Sequence, residues 1–111
     1  MNIQQQRQGA VTVLKLEGPL TSSEAVEFKS WLLEAQRESL GRLVLDASAI
    51  PLVDSKGLEA LVEVTEAMEQ SGKALKLCAA NETVREVLEL TGLAGMFEHF
   101  EDVNAAVRSF L

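Results

Sequence analysis

The sequence predicts an α/β fold: a mixed, mainly parallel sheet of about four to five strands, with an N-terminal antiparallel hairpin and about four helices. Short apolar runs alternate along the chain with longer segments in which apolar residues recur every three or four positions. The connections between these segments are short, as in α/β layer folds. The chain has 111 residues, of which 47% are hydrophobic, so we expect one domain spanning residues 1–111.

The first part of the chain predicts a hairpin followed by a helix. A weak strand at 3–8 and a clearer strand at 11–17 would pair antiparallel through a turn at Gly9. Residues 21–24 form a capping-box sequence, in which the Thr21 hydroxyl and the Glu24 carboxylate would accept free N–H groups. The helix is predicted to end near residue 38. Its apolar stripe comprises Ala25, Phe28, Leu32 and Ala35, widened by Val26, Trp31 and Leu33.

The remainder predicts alternating strands and helices. Residues 43–45 are uniformly apolar, which is typical of a strand buried on both faces of a parallel sheet. Further strands are predicted at 74–79 and 96–100, and further helices at 56–70, at 82–91 after Asn81, and after Asp102. Right-handed crossovers between parallel strands then determine most of the topology. Trp31 is expected in the helix core rather than as a binding anchor.

Charge and hydropathy restrict the possible partners. The formal net charge of −7 argues against binding to nucleic acid or to an anionic membrane surface, because both need clustered Lys and Arg. The first residues are polar, and no apolar run approaches the roughly 20 residues of a membrane span. We therefore expect a cytoplasmic protein that does not insert into a membrane.

Groups suited to catalysis or metal binding are few in this sequence. It contains one histidine, His99, and one cysteine, Cys78, which is expected to be a core residue. Ser55 lacks the Gly-x-Ser-x-Gly motif of α/β-hydrolases, and no phosphate-binding loop occurs. We expect no cofactor, no metal and no enzymatic activity. A small serine hydrolase using Ser55 and His99 is the weakest alternative.

Residues 51–58, Pro-Leu-Val-Asp-Ser-Lys-Gly-Leu, are the most distinctive stretch. An apolar run breaks at Asp54 and a helix begins, so the Ser55 hydroxyl lies at a helix N-terminus, which favours a phosphate. Two interpretations remain open. The stretch is either a plain helix start, capped by Asp54 or Ser55 with Gly57 allowing close packing, or a phosphate-accepting switch at the carboxyl end of a strand.

Four stretches together resemble the STAS domain, in particular the stand-alone bacterial anti-sigma-factor antagonists: residues 43–46, 53–58, 75–78 and 90–93. The resemblance covers essentially the whole chain. It implies a non-catalytic regulator that acts by partner switching. The partner would be an anti-sigma factor with serine-kinase activity, which phosphorylates Ser55, and a PP2C-type phosphatase would reverse the modification. The partner-binding loop would comprise Asp54, Lys56, Gly57, Leu58 and Glu59.

Two residues depart from the family's pattern. Lys56 stands where a small Ser or Thr is usual, and Glu59 stands where Gly or another small residue is usual. Lys56 would tether a phosphate on Ser55, whereas Glu59, one turn along the same face, would oppose it. The family also offers an alternative, a STAS subunit that docks on an ABC-type lipid-transport ATPase without phosphorylation. The sequence predicts neither the cognate kinase nor the oligomeric state.

Overall fold

A computed structural model describes residues 2–111 and contains one five-stranded sheet in the order β1-β2-β3-β4-β5. The strands are β1 (Asn2–Gln8), β2 (Val11–Glu17), β3 (Leu43–Asp46), β4 (Lys76–Cys78) and β5 (Glu98–Phe100). β1 and β2 pair antiparallel, and all other neighbouring strands pair parallel. The predicted mixed sheet with an N-terminal hairpin is confirmed.

The helices are α1 (Ser22–Glu38), α2 (Ser55–Glu69), α3 (Glu82–Leu90) and α4 (Val103–Arg108). The predicted strand at 74–79 is too long at both ends. The Leu75 N–H donates to the Thr65 hydroxyl (3.1 Å) instead of to a neighbouring strand, and Ala79 adopts a φ of 53°, which ends the extended conformation. The predicted strand at 96–100 begins later than expected, because the chain first makes a 3₁₀ turn at Ala94–Met96. Within residues 2–111, none of the helices is long and apolar enough to cross a bilayer.

Each face of the sheet has its own apolar core. The larger core lies under α1, α2 and α3 and includes Phe28, Leu45, Leu61 and Leu88. The smaller core lies under α4 and comprises Val11, Val13, Val44, Cys78 and Ala106. Cys78 is fully buried, as predicted, and this burial raises the pKa of its thiol to about 12, with the charges of Asp46 and Asp102 adding to the effect.

The structure corrects two predictions about α1. The four central stripe residues are buried, but Val26 is 78% exposed and Trp31 is 38% exposed, so neither widens the core as expected. The capping box is also wrong in its main feature. The Thr21 hydroxyl donates to the Glu24 carboxylate (2.6 Å) and accepts no backbone N–H, because the Glu24 N–H, which a capping box would direct to that hydroxyl, donates to the Thr21 carbonyl instead (2.9 Å).

Candidate functional site

The segment before α2 is bonded to the segment before α1. Val53 and Leu20 form an isolated parallel bridge. The backbone N–H of Leu20 donates to the carbonyl of Leu52 (2.8 Å), and the backbone N–H of Asp54 donates to the carbonyl of Leu20 (3.2 Å). As a result, α1 and α2 begin side by side, beyond the carboxyl ends of β2 and β3, where sites form in parallel α/β folds.

Asp54 accepts hydrogen bonds from the N-termini of both helices. Its Oδ1 accepts from the backbone N–H of Gly57 (2.8 Å) in α2, and its Oδ2 accepts from the backbone N–H of Ser22 (2.8 Å) in α1. The bond from Gly57 is the main cause that holds the pKa of the Asp54 carboxyl below its usual 3.8, and the bond from Ser22 adds to it. The ionised carboxylate therefore joins two helix starts that lie 32 residues apart in sequence.

Gly57 is the point of closest approach between α2 and Leu20. A Cβ atom at position 57 would lie 2.2 Å from the carbonyl oxygen of Leu20, far inside van der Waals contact. The close packing expected of this glycine is therefore present. This close packing is a tertiary contact between α2 and the chain segment before α1. Any side chain at position 57 would push the two helix starts apart.

Ser55 is the first residue of α2, and its side chain is exposed. Lys56 and Glu59 are also exposed and form an ion pair, with 3.3 Å between Lys56 Nζ and Glu59 Oε2. The ammonium group of Lys56 therefore points along α2 towards the Glu59 carboxylate. Leu58, in contrast, is half-buried and packs against the larger core. Of the five residues predicted to bind a partner, Lys56 and Glu59 have exposed side chains, as does Ser55, the predicted phosphorylation site.

A groove of about 700 Å³ runs between α1 and α2 beside this turn. Its apolar lining residues are Ala25, Val26, Leu33 and Ala60. Two ion pairs border it, Lys56–Glu59 within α2 and Lys29–Glu63 between the helices. An apolar floor with a charged border is the usual composition of a protein-binding surface.

Sequence reasoning missed the contribution of α1 to this groove. It assigned every site residue to the start of α2, whereas Val26 and Lys29 of α1 form the opposite wall. Val26 was the available signal, because an apolar side chain beside the helical stripe, rather than within it, indicates either a wider buried face or an exposed contact.

His99 lies on the edge strand β5 and does not line the groove beside the α2 start. It is exposed on β5, its Nε2 is 2.7 Å from the carbonyl oxygen of Ala94, and its ring packs edge-on against Phe97. The cleft beside it is lined by Ala79, Ala80, Arg85, Phe100 and Glu101, with no residue from the α2 start. The serine-hydrolase alternative needs a base at Ser55, and this arrangement does not supply one.

Comparisons with known proteins agree on one family. The family model of the STAS domain matches residues 2–106. The protein BtrV of Bordetella bronchiseptica, whose name gives it as a candidate anti-sigma factor antagonist, is 28% identical over 95 residues. The aligned region is 86% of this chain and 82% of BtrV.

Solved structures show the same fold at lower sequence identity. A candidate anti-sigma factor antagonist from Thermotoga maritima superposes with a TM-score of 0.86 at 23% identity, covering 96% of this chain and 92% of that chain. SpoIIAA in its unphosphorylated form superposes with a TM-score of 0.76 at 18% identity, covering 98% and 96% of the two chains. The five-stranded mixed sheet with four helices is thus shared over nearly the whole length of each protein.

Proposed function

This chain belongs to the STAS domain family, and we propose that it is a non-catalytic, cytoplasmic regulator of the anti-sigma-factor antagonist type. In this proposal it binds an anti-sigma factor with serine-kinase activity through the start of α2 and the groove beside it. Phosphorylation of Ser55 ends that binding, and a PP2C-type phosphatase restores it. The whole chain acts as a single domain.

The observation that carries the proposal is the exposed hydroxyl of Ser55 at the first position of a helix whose start is held by hydrogen bonds. The double hydrogen bond to Asp54 and the close approach at Gly57 fix the backbone around it. A kinase therefore meets a preformed turn in which the hydroxyl is accessible. The name of BtrV and the existence of SpoIIAA structures in unphosphorylated and phosphorylated forms support the same kind of regulation.

Electrostatics explains how a phosphate would change binding. Asp54, Lys56 and Glu59 already give the turn one net negative charge, and a phosphoryl group adds about −1.5 to −2 more. The Asp54 carboxylate already accepts the N–H groups of Gly57 and Ser22, so the phosphate would have to compete for these donors. Lys56 would have to leave Glu59 to neutralise it. A partner that fits the unmodified turn would therefore be repelled.

Phosphorylation is tested by incubating the purified chain with ATP and a serine kinase of the anti-sigma-factor type, and then mapping phosphosites by mass spectrometry. We expect one modification, at Ser55, that disappears in Ser55→Ala. The matched control is Ser22→Ala, which removes an exposed hydroxyl on the same groove and should leave phosphorylation unchanged. Phosphate at another residue, or none, would contradict the proposal.

Partner switching is tested by measuring the affinity of the same kinase for charge variants. Ser55→Asp is expected to bind at least about 10-fold more weakly than the wild type, and Ser55→Ala about equally. Ser48→Asp places the same charge at another exposed position and should bind like the wild type. Unchanged affinity of Ser55→Asp, together with co-purification of a transport ATPase, would favour the lipid-transport alternative instead.

A further inference from the structure

β1 leaves one edge of the sheet open. It is the first strand in the sheet order, so it pairs only with β2, and it is seven residues long and largely exposed. The opposite edge strand, β5, has three residues. Protein sheets usually protect their edges with short strands, Pro or Lys, because unpaired backbone groups accept further strands. β1 is not short and contains neither Pro nor Lys, and Arg7 is its single charged residue.

The register shows which backbone groups of β1 face outwards. The N–H of Thr12 donates to the carbonyl of Arg42 (2.8 Å), so this N–H points away from β1. Thr12 lies opposite Arg7, and bonded and non-bonded pairs alternate along an antiparallel ladder. Arg7, and by alternation Gln5 and Ile3, therefore direct their N–H and C=O groups to solvent.

A cleft of about 500 Å³ lies between this edge and α1, on the flank of α1 that faces away from α2. The partly exposed Trp31 forms one wall, and its Nε1 donates to Oε1 of Gln5 (3.0 Å). Three carboxylates line the cleft: Glu27, Glu34 and Glu38. Glu34 forms an ion pair with Arg37, and Glu27 and Glu38 are the two carboxylates outside that pair. An aromatic ring with acidic neighbours is a suitable site for a guanidinium or ammonium group.

We propose that the β1 edge and the Trp31 cleft together bind an extended basic segment of a protein partner by strand addition. The segment pairs with the outward N–H and C=O groups of Ile3, Gln5 and Arg7. The residue opposite Gln5 directs its side chain to the face that Gln5 shares with Trp31. Because side chains alternate along a strand, every second residue reaches this face, which selects Arg or Lys at alternate positions.

Charge favours a basic partner over a second copy of this chain. Antiparallel pairing of β1 with β1 of a second copy would bring two acidic flanks of α1 to the same face. Arg7 lies on that face too, but one arginine per copy does not offset Glu27 and Glu38, and like charges there oppose association. The Ser55 groove uses the flank of α1 that faces α2, and Ser30 is the one lining residue that the two surfaces share. This inference does not depend on what Ser55 does.

The test uses the full-length ¹⁵N-labelled chain and an acetylated peptide, as long as β1, in which valine and arginine alternate. We expect saturable shifts of the Trp31 indole N–H. We also expect hydrogen exchange at the amides of Ile3, Gln5 and Arg7 to slow by about 10-fold or more, whereas Gln4 and Gln6 already bond to β2 and change little. A peptide of the same composition with its valines and arginines in separate blocks should bind at least about 10-fold more weakly, as should alternating valine and glutamate.

Variants assign the binding to the cleft. Trp31→Ala should weaken peptide binding about 10-fold, and the double variant Glu27→Gln/Glu38→Gln should weaken it several-fold with an unchanged unfolding midpoint. Leu90→Ala, which trims a strongly exposed apolar side chain elsewhere on the surface, is the matched control and should bind normally. Equal binding of the block or glutamate peptides, shifts confined to the Ser55 groove, or no saturation would overturn the proposal. Prior protection of the three outward amides in a dimer of the free chain would assign the edge to a second copy instead.

Discussion

The starts of α2 and α3 are built alike but present different chemistry. Each follows a parallel strand, and in each the N-cap side chain accepts the N–H three residues on, from Gly57 to Asp54 (2.8 Å) and from Val84 to Asn81 (2.9 Å). The first helical residue is Ser55 in α2, whereas α3 begins with an acidic side chain. The cap itself is therefore generic, and the exposed hydroxyl is what distinguishes the α2 start.

The two cap side chains also differ in the distant backbone groups to which they hydrogen-bond. Asp54 is a carboxylate, which only accepts, and its second oxygen takes the N–H of Ser22 in α1. Asn81 has an amide, which also donates, and its Nδ2 bonds to the carbonyls of Ile50 (2.8 Å) and Ser48 (3.3 Å). The comparison teaches that one local motif acquires different roles from its long-range partners. Both caps hold the loop between β3 and α2.

The largest effect is expected where the third helical residues differ, glycine at 57 and valine at 84. Gly57→Ala should lower the free energy of unfolding by about 3 kcal/mol, because the added Cβ overlaps the carbonyl oxygen of Leu20. Helix propensity alone would predict that Gly57→Ala raises the free energy of unfolding by about 1 kcal/mol. The sign of the change measured by urea unfolding therefore distinguishes the steric clash from the propensity effect. Gly95→Ala, where nothing lies within 4 Å of the new Cβ, is the control and should stay near the wild type.

A smaller effect is expected at the α3 cap. Asn81→Ala should cost about 2 kcal/mol of unfolding free energy, because the N–H of Val84 loses its acceptor and the Ile50 carbonyl loses a donor. Asn81→Asp keeps the acceptor and should recover about half of this loss. If Asn81→Asp is as stable as the wild type in the same urea titration, the bond to Ile50 contributes nothing.

Lowering the pH should reduce the stabilising effect of the α2 cap and not that of the α3 cap, because the Asp54 side chain can be protonated and the Asn81 side chain cannot. The folded-state pKa of Asp54 is depressed, so its contribution to stability is complete above the usual 3.8 and is lost as the pH falls through the lower folded value. Glu24 acts in the same direction, since hydrogen bonds from the Ser23 and Thr21 side chains lower its pKa. Asp54→Asn should therefore lose less stability than the wild type between neutral and acidic pH. Equal slopes in pH-dependent urea unfolding would contradict this assignment.

The smallest effect on stability is expected at Ser55 itself. Its exposed side chain occupies the first helical position while Asp54 provides the cap, so Ser55→Ala should change the free energy of unfolding by less than about 0.5 kcal/mol. The same thermal or urea measurement on the kinase-binding variants checks this. A large loss of stability would mean that the hydroxyl supports the fold, and the plain helix-start interpretation would then be favoured.

Local patterns predicted the elements well and their long-range partners poorly. Apolar periodicity identified the helices, because burial of one face dictates that spacing, and apolar runs identified β2 and β3. The Thr21 capping box failed locally, since the Glu24 N–H donates to the Thr21 carbonyl. No local pattern indicated that a carboxylate 32 residues away would accept the N–H of Ser22. Val26 and Trp31 flank the apolar stripe of α1, yet the sheet and α2 do not cover them. Only the assembled fold shows which apolar residues remain exposed.

The buried thiol of Cys78 has a practical consequence for probing this molecule. Because burial raises the pKa of this thiol to about 12, the reactive thiolate is far scarcer at neutral pH than in an ordinary exposed cysteine. The native chain should therefore resist maleimide dyes while folded. A single introduced cysteine, such as Ser55→Cys or Val26→Cys, would be the site of labelling without removal of the native one. Fluorescence at either position would then report partner docking directly.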